Sequence, residues 1–200
     1  MNQSLHNHYH KQHRSLRVHY TQPYASQLLA QQLLNWLPHT PHDYVIACVG
    51  TDRSTGDALG PFVGTYLKKR RLNQMTVYGT LQDPIHAINL RESIYHIKQS
   101  HQRPFIIAVD ASLGKKTSIG QLVVKKGALK PGAALNKMLP SIGDLHIAGI
   151  VNVGGFMEYN VLQNTRLALV VEMAKTIANA INKLDQQLTY TPSSYPQSFK

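Results

Sequence analysis

The amino-acid sequence predicts a three-layer α/β/α sandwich around a five-stranded sheet, mixed but mostly parallel. Three observations lead there. Short continuous apolar runs at 44–49 (YVIACV) and 105–110 (FIIAVD) suit strands buried on both faces. Between and beyond them, apolar residues recur at i, i+3, i+4 and i+7, the spacing of helices that bury one side. The step from 105–110 to the next strand-like run, 119–126 (IGQLVVKK), is too short for a crossover helix, so one strand near an edge must run antiparallel.

The elements follow in order. Residues 1–21 are polar and basic, with His6, His8, His10 and His13 closely spaced, and read as a flexible His-rich tail. Residues 23–37 (PYASQLLAQQLLNWL) read as an amphipathic helix stopped by Pro38. The first strand, 44–49, gives way to a loop from Gly50 to Gly56. A helix then runs over 57–71, with Leu59, Phe62, Val63, Tyr66 and Leu67 on one side and a basic last turn that complements the helix dipole. A strand is expected at 75–79 and a helix at 87–100. Pro104 launches the strand 105–110, and the antiparallel strand 119–126 and a fifth strand, 145–151, come next. One long helix covers 158–188, its apolar stripe being Val170, Met173, Ala174, Ile177, Ala178, Ile181 and Leu184. Residues 22–188 therefore form a single domain, and 189–200, rich in Pro and Ser, form a second tail.

Composition narrows the functional classes. Of 200 residues, 21 are Lys or Arg and only 10 are Asp or Glu, for a net charge of +11. One cysteine, Cys48, excludes an internal disulfide and a thiolate zinc cluster. No apolar run approaches the ~20 residues that span a bilayer. The first twenty residues carry no signal-peptide core, so a soluble, cytoplasmic protein without membrane partners is expected. The basic excess, densest at Lys68–Arg71, raises the prospect of nucleic-acid binding. The few acids carry more positional information.

Ligands of open α/β sheets bind beyond the carboxyl ends of the strands. Three predicted strand ends converge there. The first, VGTDRSTGDALGP (49–61), holds Asp52 and Asp57 but neither nucleotide-binding glycine motif. Asp57 also sits where a helix cap would, and Asp52 where an Asx-turn would. The second is Asp110, closing FIIAVD, with Ser112 and Gly114 just beyond. The third, VNVGGFMEYNVLQNTRL (151–167), offers Asn152, Gly154, Gly155, Glu158, Asn160 and Arg166. Two close carboxylates at one rim can share a proton and activate water, or hold a metal ion. Ser54 and Ser112 lack the G-x-S-x-G frame of an activated serine, and Cys48 lies inside an apolar strand.

These motifs together resemble the YyaC-type spore protease family of endospore-forming bacteria, over roughly residues 22–187. That family is related to the germination protease, which degrades small acid-soluble spore proteins, and its wider fold resembles that of the hydrogenase maturation endopeptidases. The resemblance implies that Asp57 and Asp110 match two catalytic acids of the germination protease and two metal ligands of the maturation enzymes. Where the maturation enzymes add a histidine, this chain has LPSIGDL (139–145), with Ser141 and Asp144 and no histidine. That departure from the maturation-enzyme pattern favours an aspartate pair without a cofactor over a divalent metal held by Asp57 and Asp110. His86 or His146 would have to complete a metal site.

Three readings stand at this point. The first is a sporulation or germination endopeptidase of the sporulating cell or spore core. In it Asp57 and Asp110 are catalytic, Asp52 and Asn152 contact substrate, and amides from Ser112–Gly114 or Gly154-Gly155 stabilise the oxyanion. The second is a non-catalytic spore protein that binds acidic partners or DNA. The third is a metal-dependent, maturation-type peptidase. An edge strand and a long amphipathic helix also offer surfaces for a homodimer.

Overall fold

The two continuous apolar runs become neighbouring strands at the centre of the sheet. In the computed structural model, which describes residues 15–38, 40, 42–132 and 139–190, β2 (Asp43–Cys48) lies parallel to β4 (Pro104–Gly114), with Tyr44 opposite Phe105 and Cys48 opposite Val109. Helices cover both faces here, which is why neither run alternates apolar with polar residues. β3 (Met75–Tyr78) flanks β2 and β6 (Leu145–Val153) flanks β4, both parallel. β5 (Gln121–Lys126) runs antiparallel to β6, as the short connection requires.

A sixth strand corrects the expected count of five. β1 (Ser15–His19) pairs antiparallel with β5, giving the order β1-β5-β6-β4-β2-β3. Residues 15–19 therefore belong to the domain and not to the tail assigned to 1–21. The strand is five residues long and buries a single apolar side chain, Val18. Its local pattern is too weak to stand out from polar surroundings, and pairing with β5 decides its state. The histidines from His6 to His13 and the stretch after residue 190 lie outside the described residues.

α1 (Ala25–Leu34), α2 (Leu59–Arg70) and α5 (Leu167–Tyr190) pack together on one face. The predicted stripe of α5 from Val170 to Leu184 is fully buried at all seven named positions. α3 (Leu90–Ser100) covers the other face over β2 and β4, seating Leu90 and Ile97 on Val45, Ala47, Ile106 and Ala108. The β1-β5-β6 half of that face carries no helix among the described residues.

The long helix expected over 158–188 is broken. α4 (Glu158–Gln163) ends before α5 begins at Leu167. Thr165 Oγ1 donates to the Val161 carbonyl (2.9 Å) and Asn164 Nδ2 to that of Asn160 (2.8 Å). Asn152 Nδ2 reaches across from β6 to Thr165 Oγ1 (3.2 Å). Side chains thus take up carbonyls at the turn and compete with helix continuation. On the opposite side of the domain, the buried Asp185 of α5 accepts the Asn73 and Gln74 amides (2.9 and 2.8 Å), tying the turn before β3 to this helix.

Candidate active site

Beyond β2 the chain turns sharply back on itself. Gly50 donates its amide to the Ile85 carbonyl (2.8 Å), and the Thr51 amide donates to the Asp57 carbonyl (3.1 Å). Gly50 has φ +141, and a Cβ there would strike that same Asp57 carbonyl. Only glycine fits a backbone this close at this φ. The loop thereby returns Asp57 to the sheet rim in a short 3₁₀ turn, Gly56–Ala58, that leads into α2.

Asp110 arrives from β4. It lies four residues from that strand's end, on the same face as Ala108, opposite Ala148 of β6. It is 7% exposed, and its Oδ1 accepts the Ala111 amide at 2.8 Å. Asp57 and Asp110 line one pocket of about 250 Å³ together with Ser112, Lys130, Glu158 and Leu162. Burial pushes the Asp110 carboxyl well above its ordinary 3.8. The Asp57 charge pushes it further, and the Ala111 amide opposes both. The two aspartates thus meet electrostatically in one pocket.

A pH dependence follows, with its sign fixed by the direction of the shift. As pH rises from 3.8 toward the raised folded value, the unfolded chain loses the Asp110 proton first. The folded state then binds more protons, so stability falls across that window and levels off above it. Urea midpoints of wild type and Asp110→Asn should diverge through the window, the variant being the more stable at neutral pH. Parallel curves would show Asp110 ionised in the fold.

The other expected site residues separate into two groups. Ser112 lines the aspartate pocket, as does Glu158 from the first turn of α4. Asp52 is exposed on the outer side of its loop, where Thr51 Oγ1 meets its Oδ1 at 3.4 Å, and it does not line the pocket. Asn152 is the latch between β6 and the α4–α5 turn and also caps the Val153 amide (2.9 Å). The Gly154 amide donates to the Gly114 carbonyl (2.9 Å) and the Gly155 amide to Glu158 Oε1 (3.0 Å). Both are already committed to holding the turn, so neither glycine supplies a free oxyanion donor. Ser54 Oγ is buried with no hydrogen-bond partner among the described residues, and burial raises the Cys48 thiol far above its usual range.

Among the described residues no group of three His, Cys, Asp or Glu side chains is placed to hold an ion. His146 Nδ1 bonds the Gly127 carbonyl (2.8 Å), and the His86 backbone amide donates to Asn89 Oδ1 (2.8 Å). Neither histidine lines the pocket. Asp144, in the stretch 139–145, sits at the start of β6, where its Oδ2 accepts the Ile106 amide (2.8 Å) at the opposite end of the sheet from the pocket.

Sequence reasoning missed Lys130. It belongs to the segment after β5, where Leu129 and Ile142 bond each other's backbones (2.8 and 3.0 Å), and Leu129 and Lys130 of that segment line the pocket. No local signal marks such a pairing. Phe156, Met157 and Tyr159 stand exposed around Glu158, with Met157 at φ 52.

Comparison with known proteins places the chain. Residues 17–180 match a family described as a protein of unknown function, DUF1256. The match begins inside β1. The protein YyaC of Bacillus subtilis strain 168, described as uncharacterized, is 56% identical over 142 residues, covering 71% of this chain and 69% of YyaC. Among solved structures, the NiFe hydrogenase maturation protease HycI from Thermococcus kodakarensis superposes with a TM-score of 0.49 at 16% identity, over 77% of this chain and 98% of HycI. No helix among the described residues is long and apolar enough to cross a membrane. With the family match spanning most of the domain and YyaC identical at more than half of the aligned positions, this chain belongs to the DUF1256 family of YyaC-like proteins.

Proposed function

We propose that the chain is an endopeptidase that hydrolyses peptide bonds with Asp57 and Asp110 as its catalytic pair. The observation that carries the reading is the shared pocket, in which burial and the Asp57 charge both raise the Asp110 carboxyl above its ordinary range. Two carboxyls with separated protonation states divide the work of acid and base. Ionised Asp57, nearer solvent, takes a proton from water as it attacks the scissile carbonyl. Protonated Asp110 hydrogen-bonds the carbonyl oxygen and stabilises its developing charge, and Asp57 then passes the proton it took from water to the amide nitrogen as the C–N bond breaks, releasing a carboxylic acid and an amine. Lys130 on the same wall adds positive charge where the oxyanion forms. This assignment replaces the Gly154 and Gly155 amides as oxyanion donors.

The substrate class suggested by the motifs is the small acid-soluble spore proteins, encountered in the sporulating cell or spore core. Incubating the purified chain with such a protein, followed by intact-mass spectrometry, should give discrete fragments. The double variant Asp57→Asn/Asp110→Asn serves as the blank. Fragments produced equally by both chains would overturn the assignment.

A further inference from the structure

The half of the sheet face that α3 leaves bare holds a second hollow, of about 650 Å³. Its floor is Val123 of β5 with Ala148 and Ile150 of β6, and its rims carry Arg17 of β1, Lys125 of β5 and Lys115 from the turn after β4. Register explains the grouping. Arg17 pairs with Val123, which pairs with Ala148, and Lys125 lies two residues along on the same face. Ser112 and Leu113 line both this hollow and the aspartate pocket, so the two adjoin.

The electrostatics of the hollow are one-sided. No Asp or Glu lines it, and none of Arg17, Lys115 and Lys125 is in an ion pair among the described residues. Three like charges around one groove repel each other and attract negative charge from outside. The groove also has an apolar floor, which phosphate does not need and an extended peptide with alternating side chains does.

We propose that this groove docks an extended acidic segment of the polypeptide that the aspartate pocket cleaves. The proposal rests on the peptidase reading and adds to it a substrate preference. From β4 to β1 is three strand spacings, about 14 Å, and an extended chain advances about 3.3 Å per residue. Acidic residues about two to four positions from the cleaved bond therefore meet the cations. Alternate side chains turn down onto Val123 and Ile150. The carboxylates pair at the rims with Arg17, which takes a carboxylate in bidentate fashion, and with Lys115 and Lys125.

The test separates binding from cleavage. A fluorescein-labelled octapeptide of alternating Glu and Val is titrated with the full chain carrying Asp57→Asn, at low ionic strength, and anisotropy is read. Adding Arg17→Ala/Lys125→Ala should weaken binding about tenfold or more, as should Lys115→Glu, which lies outside the sheet. Lys68→Ala/Lys69→Ala removes the same charge from the end of α2 and should leave affinity near that of the parent. Equal weakening by both double variants would overturn the groove, and so would preferential displacement of the peptide by duplex DNA. Arg17- and Lys125-dependent binding without cleavage by the wild-type chain would sink the peptidase reading alone. Cleavage that ignores these substitutions would sink the groove alone.

Discussion

Asp57→Asn should lower kcat for peptide hydrolysis by about 10²- to 10⁴-fold, the range for losing a positioned general base. The amide keeps the size of the carboxyl and its place on the 3₁₀ turn, but it takes no proton from water. Asp57 is only half-buried, so the fold should tolerate the change. Asp110→Asn should lower kcat comparably while raising stability at neutral pH, because it removes a buried ionisable group whose neutral form the fold prefers. Falling activity with rising stability is a signature that a purely structural role for Asp110 would not produce. The pH profile divides the roles further. In the proposed mechanism Asp57 works ionised and Asp110 protonated, so the alkaline limb of the profile should belong to Asp110 and disappear in Asp110→Asn. Full activity in both variants would remove the pair from the mechanism.

Gly60→Ala should destabilise the domain by about 3 kcal/mol, near the upper end for overpacking a tight core. Helix propensity alone gives the opposite sign, since alanine is better than glycine in a helix by about 1 kcal/mol. Packing decides the outcome. Gly60 lies in the first turn of α2, is buried, and faces the backbone of Val49, whose carbonyl a Cβ would strike. The obstacle is main chain and cannot rotate away, so α2 must lift off the end of β2. A loss of this size corresponds to a fall in Tm of roughly 6–12 °C for a domain of this length. Calorimetry on the variant measures it. Because the same turn carries Asp57, catalysis should fall with it. An unchanged or higher Tm would mean that α2 does not rest on the β2 backbone.

Much of the candidate site was legible because the acids of the chain are few and two of them come soon after, or at the end of, an apolar run. Asp110 closes one apolar run and Asp57 follows the loop after another, and strands buried on both faces bring such residues toward one rim. The neighbouring expectations fared differently for a common reason. Gly154, Gly155 and Asn152 look like site residues because turns and sites use the same residue types. Only the hydrogen-bond partners show that here they fasten the turn. Lys130 lay in a segment whose path depends on the pairing of Leu129 with Ile142, more than ten residues away.

By itself the sequence determined the layer architecture, the antiparallel β5, the buried stripe of α5 and the placement of Asp57 and Asp110 near one another. Each rests on a local pattern: a run length, a connection length, a 3.6-residue period, an acid after an apolar strand. Tertiary structure alone decided that Ser15–His19 is a strand, that the last helix breaks at Asn164–Arg166, and that Arg17, Lys115 and Lys125 share one groove. Those outcomes depend on which distant segments come to lie side by side. A five-residue edge strand gains its hydrogen bonds from β5, and three cations far apart in the chain become neighbours only once β1, β5 and β4 are in register.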